Sequence, residues 1–527
     1  MLRKLIDLCV ALQNKCLYAF ALYPKLACLG LGVLLTFALP PFYQIWAIFP
    51  SLAIALYLCC QTSSLKKLIG LGYWFGFGFF SAGFYWIGNA LLIDVAQTGW
   101  MYPIALFFNG SFFGIFTILP FMITKLCKNV WAKVLLFCAF WVLSGEWFRG
   151  VFLTGFPWNP LSSVLAFSPA LLQTLAWWGT YGLSLIVVLL GVLPVFWLIK
   201  PNRKTFCLPV LSVFILFVIW NYGGFVIAHR PQISNGKSIM VRLVQPSIPQ
   251  TLKWDRDSAE KNLDEYIKLS KTDDNRYVDF VIWGETASPY DFTYDDKHRL
   301  KIKRAIPRKG YLISGFLRYG ESEHGYKPYN SLGVFDDKGN VVATYDKSHL
   351  VPFGEYIPLR EYLPEWIKPV ANNVAELGRG EKYKTISVEG YPAFAPLICY
   401  EIIFSDEVVR KFNKPKWMVV LTNDGWYGLS AGPHQHLVAA QMRAIEEGIS
   451  VVRSANSGIS AVITPYGQIK AKLSLGQKGS VDILVKPDLA RDTLFGRYGN
   501  IIPLSMCGAL IALALLIELI TRKISQG

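Results

Sequence analysis

The sequence predicts a polytopic α-helical membrane domain of about eight spans, joined to one α/β domain. Three observations predict it. Of 527 residues, 53% are apolar and only 17% are charged, whereas a soluble domain sits nearer a quarter charged. Between Lys25 and Ala228 only 12 residues carry a formal charge. From His229 to Asn500 the texture becomes that of a water-soluble protein, and an apolar run returns after Ile501. The mean hydropathy of +0.35 and 15% aromatic content exclude a disordered chain, a disulfide scaffold, a collagen-like fibre and an ordinary cytosolic enzyme.

The expected domains are therefore 1–228 with seven spans, 229–500 as the α/β block, and 501–527 as a last transmembrane helix with its tail. The net charge of +16 divides unevenly, +5 in the middle block and +11 in the apolar remainder. The basic excess belongs mainly to the membrane part, so no nucleic-acid partner is expected.

A helix crossing a bilayer needs about 20 mostly apolar residues. Such runs lie at 24–40, 43–60, 69–92, 100–124, 132–149, 171–199, 206–227 and 501–521. Pro40-Pro41 and Pro201 punctuate them as turn signals do. Cations gather at alternate ends. Arg3, Lys4 and Lys15 precede the first span, Lys66 and Lys67 follow the second, and Lys125, Lys128 and Lys133 flank the turn from fourth to fifth. Lys200, Arg203 and Lys204 follow the sixth, and Arg522 and Lys523 the eighth. Positive residues stay cytoplasmic. Both termini are expected inside and the 229–500 block outside, which in a bacterium with two membranes is the periplasm. No A-x-A site follows the first apolar run, so it reads as a retained anchor.

Within the middle block, nine short runs read as strands: Ser238–Val244, Val278–Trp283, Gly310–Gly315, Ser331–Phe335, Val341–Tyr345, Phe394–Cys399, Met418–Thr422, Ser450–Ser454 and Ile459–Ile463. Ser258–Leu269, Tyr400–Phe412 and His434–Glu447 have helical spacing, and Asp336–Gly339 is a hairpin signal.

Of ten cysteines, only Cys399 falls in this block. Exported domains normally pair their cysteines, and a lone one is a free thiol. Cys399 closes the run Ala395-Pro396-Leu397-Ile398 and precedes a helical pattern, where a helix N-terminus would favour the thiolate. A buried structural cysteine is the competing reading. Glu285 follows the strand ending in Trp283-Gly284, and Lys347 follows the strand ending at Tyr345. A thiol nucleophile needs a base for its proton and a cation for the oxyanion, and these two residues have the right chemistry. Taken singly, a Glu or a Lys is ordinarily a solvated surface residue.

Gly284-Glu285, Asp346-Lys347-Ser348-His349-Leu350-Val351-Pro352-Phe353-Gly354-Glu355 and Ile398-Cys399-Tyr400-Glu401 resemble the Glu–Lys–Cys signatures of the nitrilase (carbon–nitrogen hydrolase) superfamily. With the membrane spans, the chain closely resembles the apolipoprotein N-acyltransferase family. The likeness extends through Lys253-Trp254-Asp255, Asn423-Asp424-Gly425-Trp426 and Gly432-Pro433-His434-Gln435-His436.

The resemblance implies a nitrilase-like αββα sandwich and a ping-pong transfer needing no cofactor. Cys399 would take an acyl chain from a phospholipid as a thioester and pass it to the α-amine of a diacylglyceryl-cysteine lipoprotein. Glu285 would be the base, Lys347 the oxyanion partner, and Glu355 the residue orienting the lysine. Tyr400, Glu401, Trp254 and Trp426 match supporting or substrate-lining positions. It further implies a multi-pass protein of the bacterial inner membrane, acting as a monomer. The segments Tyr356–Val370 and Trp426–Leu429 are expected to act as lids that exclude water.

Two other functions remain open on the sequence: a membrane-anchored nitrilase-like amidase that gives its acyl group to water, and a polytopic receptor or transporter that only binds. No metal is expected, because His434 and His436 stand two apart on a helical pattern and face differently. Lys297–Lys309 reads as a solvated helix face. Glu146 and Arg149 read as snorkelling residues at a span end.

Overall fold

The structure, a computed structural model, describes residues 15, 17–230, 237–271, 277–322, 325–364, 368–369, 376–487 and 491–526. The chain forms two compact units, Met1–Ala228 with Tyr498–Gly527, and His229–Arg497. Arg3 and Lys4 lie outside the described residues, as does part of Tyr356–Val370.

The first unit is helical. Among the described residues, five helices are long and apolar enough to cross a membrane: Val95–Leu126, Val130–Val151, Leu175–Ile199, Arg203–Ala228 and Ile501–Ile524. A sixth candidate is the pair Leu65–Gly83 and Tyr85–Leu92, bent by 46°. By length and composition, the described residues therefore give five or six candidate spans, beside the about eight apolar runs read from the sequence. The two runs at 24–40 and 43–60 do form helices, but Pro24–Thr36 has only 13 residues. At 1.5 Å per residue it reaches about 20 Å, short of a hydrocarbon core of about 30 Å. Pro24 opens this helix, and Pro40-Pro41 follows soon after its end. It packs closely on Leu65–Gly83, where a Cβ on Gly78 would meet the Leu29 carbonyl oxygen at 2.2 Å. Small residues at such crossings let helix backbones approach.

Glu146 and Arg149 do not snorkel. They are 3% and 2% exposed. The Glu146 carboxylate accepts from Leu161 N at 2.9 Å and Trp141 Nε1 at 3.3 Å. Arg149 donates to the carbonyls of Gly145 at 2.7 Å and Trp158 at 2.9 Å, and to that of Phe156. The two side chains tie down the irregular 152–161 segment, whose backbone groups have no helix to satisfy them.

The second unit is built on two sheets. The first, in the order β11-β1-β2-β3-β4-β5, uses β1 (Ile239–Gln245), β2 (Phe280–Ile282), β3 (Tyr311–Ser322), β4 (Gly325–Phe335), β5 (Val341–Asp346) and β11 (Gly479–Val485). The second, in the order β10-β9-β8-β7-β6, uses β6 (Phe394–Ile398), β7 (Trp417–Thr422), β8 (Ser450–Ala455), β9 (Ser460–Ile463) and β10 (Ile469–Leu473). Strands β1-β2-β3 run parallel, as do β6-β7-β8, and the remaining pairs are antiparallel.

Leu243, Phe280 and Ile282 of one sheet meet Trp417, Val419 and Leu421 of the other in one buried cluster. Helix Arg256–Ser270 covers the outer face of the first sheet, with Leu263, Tyr266 and Ile267 packed in a second cluster with Trp283 and Leu312. Helix Ala431–Glu447 packs on β8 and β9 of the second sheet. Ser430 caps its start and Gly448, at φ 65°, ends it. The layers are helix, sheet, sheet, helix.

All nine expected strands are present. Strands β10 and β11 were not anticipated. Both are edge strands, and β10 reads Ile-Lys-Ala-Lys-Leu, the lysine-rich composition that protects an open edge and hides it from a hydrophobic pattern. The expected helix Tyr400–Phe412 is absent. A short turn of 3₁₀ helix, Cys399–Ile403, replaces it, and Asp406 at φ 70° breaks any continuation.

The inter-sheet core implies a direct test. Trp417 is fully buried and stacks edgewise near Phe280 and Phe394. Trp417→Ala is expected to cost about 3–5 kcal/mol, read as a lowered thermal midpoint of the detergent-solubilised protein.

Candidate active site

The ends of the parallel strands converge on one buried cluster. Two residues past β2, Gly284 passes so close to β8 that a Cβ would stand 2.6 Å from Asn456 N. This close approach brings Glu285 to the sheet end, where its N–H donates to Thr422 O at 3.3 Å. Lys347 leaves β5 with its N–H on Asn330 O at 2.8 Å and is 1% exposed. Its Nζ donates to Glu355 Oε1 at 2.9 Å and lies 3.5 Å from Glu285 Oε1. Asn330, in the middle of β4, donates Nδ2 to the same two oxygens, at 2.7 Å to Glu285 and 3.2 Å to Glu355. Glu355 is held in turn by Val351 N, at 2.9 Å on its other oxygen. Two carboxylates therefore share one lysine. Burial alone would push the Lys347 ammonium down, yet Glu355 and Glu285 outweigh it and hold it above the ordinary lysine value. Lys347 is fully charged at any physiological pH.

Cys399 sits where β6 gives way to the short turn, in a left-handed backbone at φ 50°. Such a conformation is unfavourable for a residue with a Cβ and persists only when neighbours enforce it. The enforcement is visible. Thr422 Oγ1 donates to Cys399 Sγ at 3.2 Å, and His436 Nε2–H donates to the Cys399 carbonyl oxygen at 3.0 Å. Both partners return to Asp424: Thr422 Oγ1 lies 3.3 Å and His436 Nδ1 2.7 Å from Asp424 Oδ1. Arg453 Nη2 closes the group on Asp424 Oδ2 at 2.6 Å. Burial alone would raise the Asp424 carboxyl, but Arg453 and His436 hold it below the usual range.

The thiol itself is protonated at rest. Burial, then the Glu285 charge, pushes it well above the ordinary cysteine value, and Lys347 offsets only part of this. The thiolate expected from a helix N-terminus is thus not found, for the helix is absent. A base must remove the proton when reaction begins.

The remaining expected residues fall into distinct places. The Glu401 carboxylate points away from the cluster into a knot of donors. Its Oε1 accepts from Tyr345 OH at 2.7 Å, Ser348 N at 2.8 Å, Ser348 Oγ at 2.7 Å and His349 N at 3.1 Å, while Oε2 accepts from Ile398 N at 2.7 Å. It fastens the Lys347 loop to the Cys399 turn. Tyr400 is 1% exposed and packs edgewise on Phe404 and His349. Trp254 and Trp426 are half-buried, Trp254 after the short helix Gln250–Lys253 and Trp426 in the turn Asp424–Tyr427.

Cys399, Asp424 and His436 bring three potential metal-ligand atoms within 4.8 Å of one another. Their hydrogen bonds argue against that use. Both His436 nitrogens face oxygen acceptors, and a guanidinium already occupies Asp424. His436 thus serves the cysteine backbone, a role hidden in the sequence. Asn330, Thr422, Asp424 and Arg453 were likewise not singled out. The available signal was a polar residue inside or directly after an otherwise apolar strand run, as at Thr422, Asp424 and Arg453.

Glu401→Ala would strand five donors at once. The expected loss of folding free energy is at least about 3 kcal/mol, measured by thermal unfolding, with Glu401→Gln retaining part of it.

Comparison with known proteins agrees with this geometry. Residues 31–193 match the family model described as the apolipoprotein N-acyltransferase N-terminal domain, and residues 240–494 match that of the carbon–nitrogen hydrolases. An apolipoprotein N-acyltransferase of Rhodopseudomonas palustris is 33% identical over 511 residues, covering 93% of this chain and 94% of its own. That of Rickettsia prowazekii is 35% identical over 509 residues, covering 94% and 99%.

Proposed function

The chain belongs to the apolipoprotein N-acyltransferase family, and from that premise we propose that it moves an acyl chain from a phospholipid to a lipoprotein amine through a thioester on Cys399. The coarser facts need no proposal: it is a membrane-associated acyltransferase of the carbon–nitrogen hydrolase superfamily that N-acylates lipoproteins. The observation carrying the finer reading is the buried Glu285–Lys347–Glu355 cluster with a protonated Cys399 in electrostatic contact with Glu285 and Lys347.

In the first half-reaction Glu285 takes the thiol proton as sulfur attacks the ester carbonyl. The carbonyl oxygen becomes an oxyanion facing the Lys347 ammonium. As the tetrahedral species collapses, the C–O ester bond breaks and Glu285 returns the proton to the departing alkoxide. A lysophospholipid leaves and the thioester remains. In the second half, the α-amine of a diacylglyceryl-cysteine attacks the thioester, Glu285 accepts an amine proton, and the C–S bond breaks as the thiol is reprotonated. Glu355 and Asn330 keep the lysine and the base in place, while Trp254, Tyr400 and Trp426 line or support the approach.

A diacyl lipid is costly to pull from a bilayer, about 0.8 kcal/mol for each CH₂ exposed, so the reaction belongs at the membrane surface. Leu429 is 85% and Tyr362 80% exposed, which fits side chains that meet lipid and cover the thioester from water. The cation pattern favours a multi-pass protein of the inner membrane with residues 229–500 in the periplasm.

Intact mass after incubation with phospholipid tests the reading. Wild type is expected to gain one acyl chain and lose it to an amine acceptor, whereas Cys399→Ser, Glu285→Gln and Lys347→Ala gain none while remaining folded. An adduct that decays in buffer without an amine would instead indicate an amidase-like hydrolase. No adduct on the wild type would sink the thioester route.

A further inference from the structure

The catalytic cluster as described carries an unbalanced charge. Glu285 and Glu355 contribute two negative charges, and Lys347 one positive. Asp424 is matched by Arg453, and these two form with His436 a separate hydrogen-bonded group behind Cys399. Passing the thiol proton to Glu285 and forming the oxyanion only relocate charge. The deficit of one positive charge persists through every step, in a site whose members are all below a tenth exposed. An uncompensated buried charge is among the most costly arrangements a protein can hold.

A second ammonium lies at the same place. Lys253 ends the short helix Gln250–Lys253 and is 6% exposed. Its Nζ donates to the main-chain oxygen of Glu285 at 2.9 Å and lies 5.9 Å from the Trp254 ring centre. The charges that act on it are those of Glu285 and Cys399. A buried ammonium has three donors to satisfy, and the contact with Glu285 satisfies one.

Resting on the thioester reading above, we propose that Lys253 is the second cation of the reacting centre: it neutralises the cluster, favours the anionic sulfur and oxyanion, and holds the Glu285 main chain in register. Lys347 is held between two carboxylates where it faces the oxyanion, and Lys253 adds a second positive charge beside Glu285. Burial lowers its pKa to about 8, with Glu285 and Cys399 pulling the other way. Its charge is therefore present below that pH and lost above it, which places an alkaline limit on thioester formation. The other charged or titratable groups acting on Cys399 are Lys347, Asp424 and Tyr427.

The test uses the full-length protein in detergent. Iodoacetamide alkylation is followed against pH at the peptide carrying Cys399, alongside thioester formation from micelles of phosphatidylethanolamine and phosphatidylglycerol. Lys253→Met is expected to lower the rate of Cys399 alkylation below about pH 8, where the wild-type ammonium is charged, at least about tenfold and to slow thioester formation by a similar factor. Lys253→Arg, charged at every accessible pH, should restore the alkylation rate below about pH 8 and carry thioester formation further into alkaline conditions than wild type. A Lys253→Met profile that superimposes on wild type overturns the proposal. Where Lys253→Met does not fold, the comparison of wild type with Lys253→Arg decides, and an identical alkaline limb overturns it. Alkylation needs no lipid donor, so its outcome stands apart from the thioester reading, which fails instead if wild type forms no adduct.

Discussion

The site depends on two carboxylates sharing one lysine out of water. Lys347 Nζ stands between Glu355 and Glu285, and removing the lysine leaves buried carboxylates unmatched, at a cost of about 3–5 kcal/mol. Much of the surrounding fold serves that contact. β2 and β5 deliver Glu285 and Lys347 from the same sheet, β4 inserts Asn330 between their partners, and the Glu401 knot ties the lysine loop to the cysteine turn on the other sheet. Charge and architecture are coupled, because a one-residue slip of β5 would turn Lys347 to the opposite face.

Cys399 is held by a different logic. Its residue is gripped at sulfur and at carbonyl by groups that meet on Asp424. The left-handed backbone is sustained by that ring, with Arg453 neutralising the acid behind it. A thiol held protonated in this way can attack in the proposed reaction only once its proton has passed to a base.

The sequence made the strand order of the site legible because buried strands leave short apolar runs, and it made Glu285, Lys347 and Cys399 legible because each follows such a run directly. It was weaker where tertiary contact overrides local pattern. Tyr400–Phe412 has helical spacing, yet Glu401 spends its carboxylate on the Ile398, Ser348 and His349 amides, an arrangement no window of neighbouring residues reveals. Edge strands β10 and β11 were masked by their polar faces. Pro24–Thr36 and Ile45–Cys60 are apolar helices shorter than the other candidate spans, because prolines punctuate this stretch. Glu146 and Arg149 looked interfacial because their partners, carbonyls and amides 7–15 residues onward, are set by the fold of the 152–161 segment.

The protonated resting state of Cys399 has a bearing on survival as well as on rate. Peroxides and disulfide reagents attack thiolates that they can reach, and this sulfur is neither ionised at rest nor open to solvent. A thiol buried and protonated in this way is shielded from oxidants, and residues 229–500 hold no second cysteine with which it could pair.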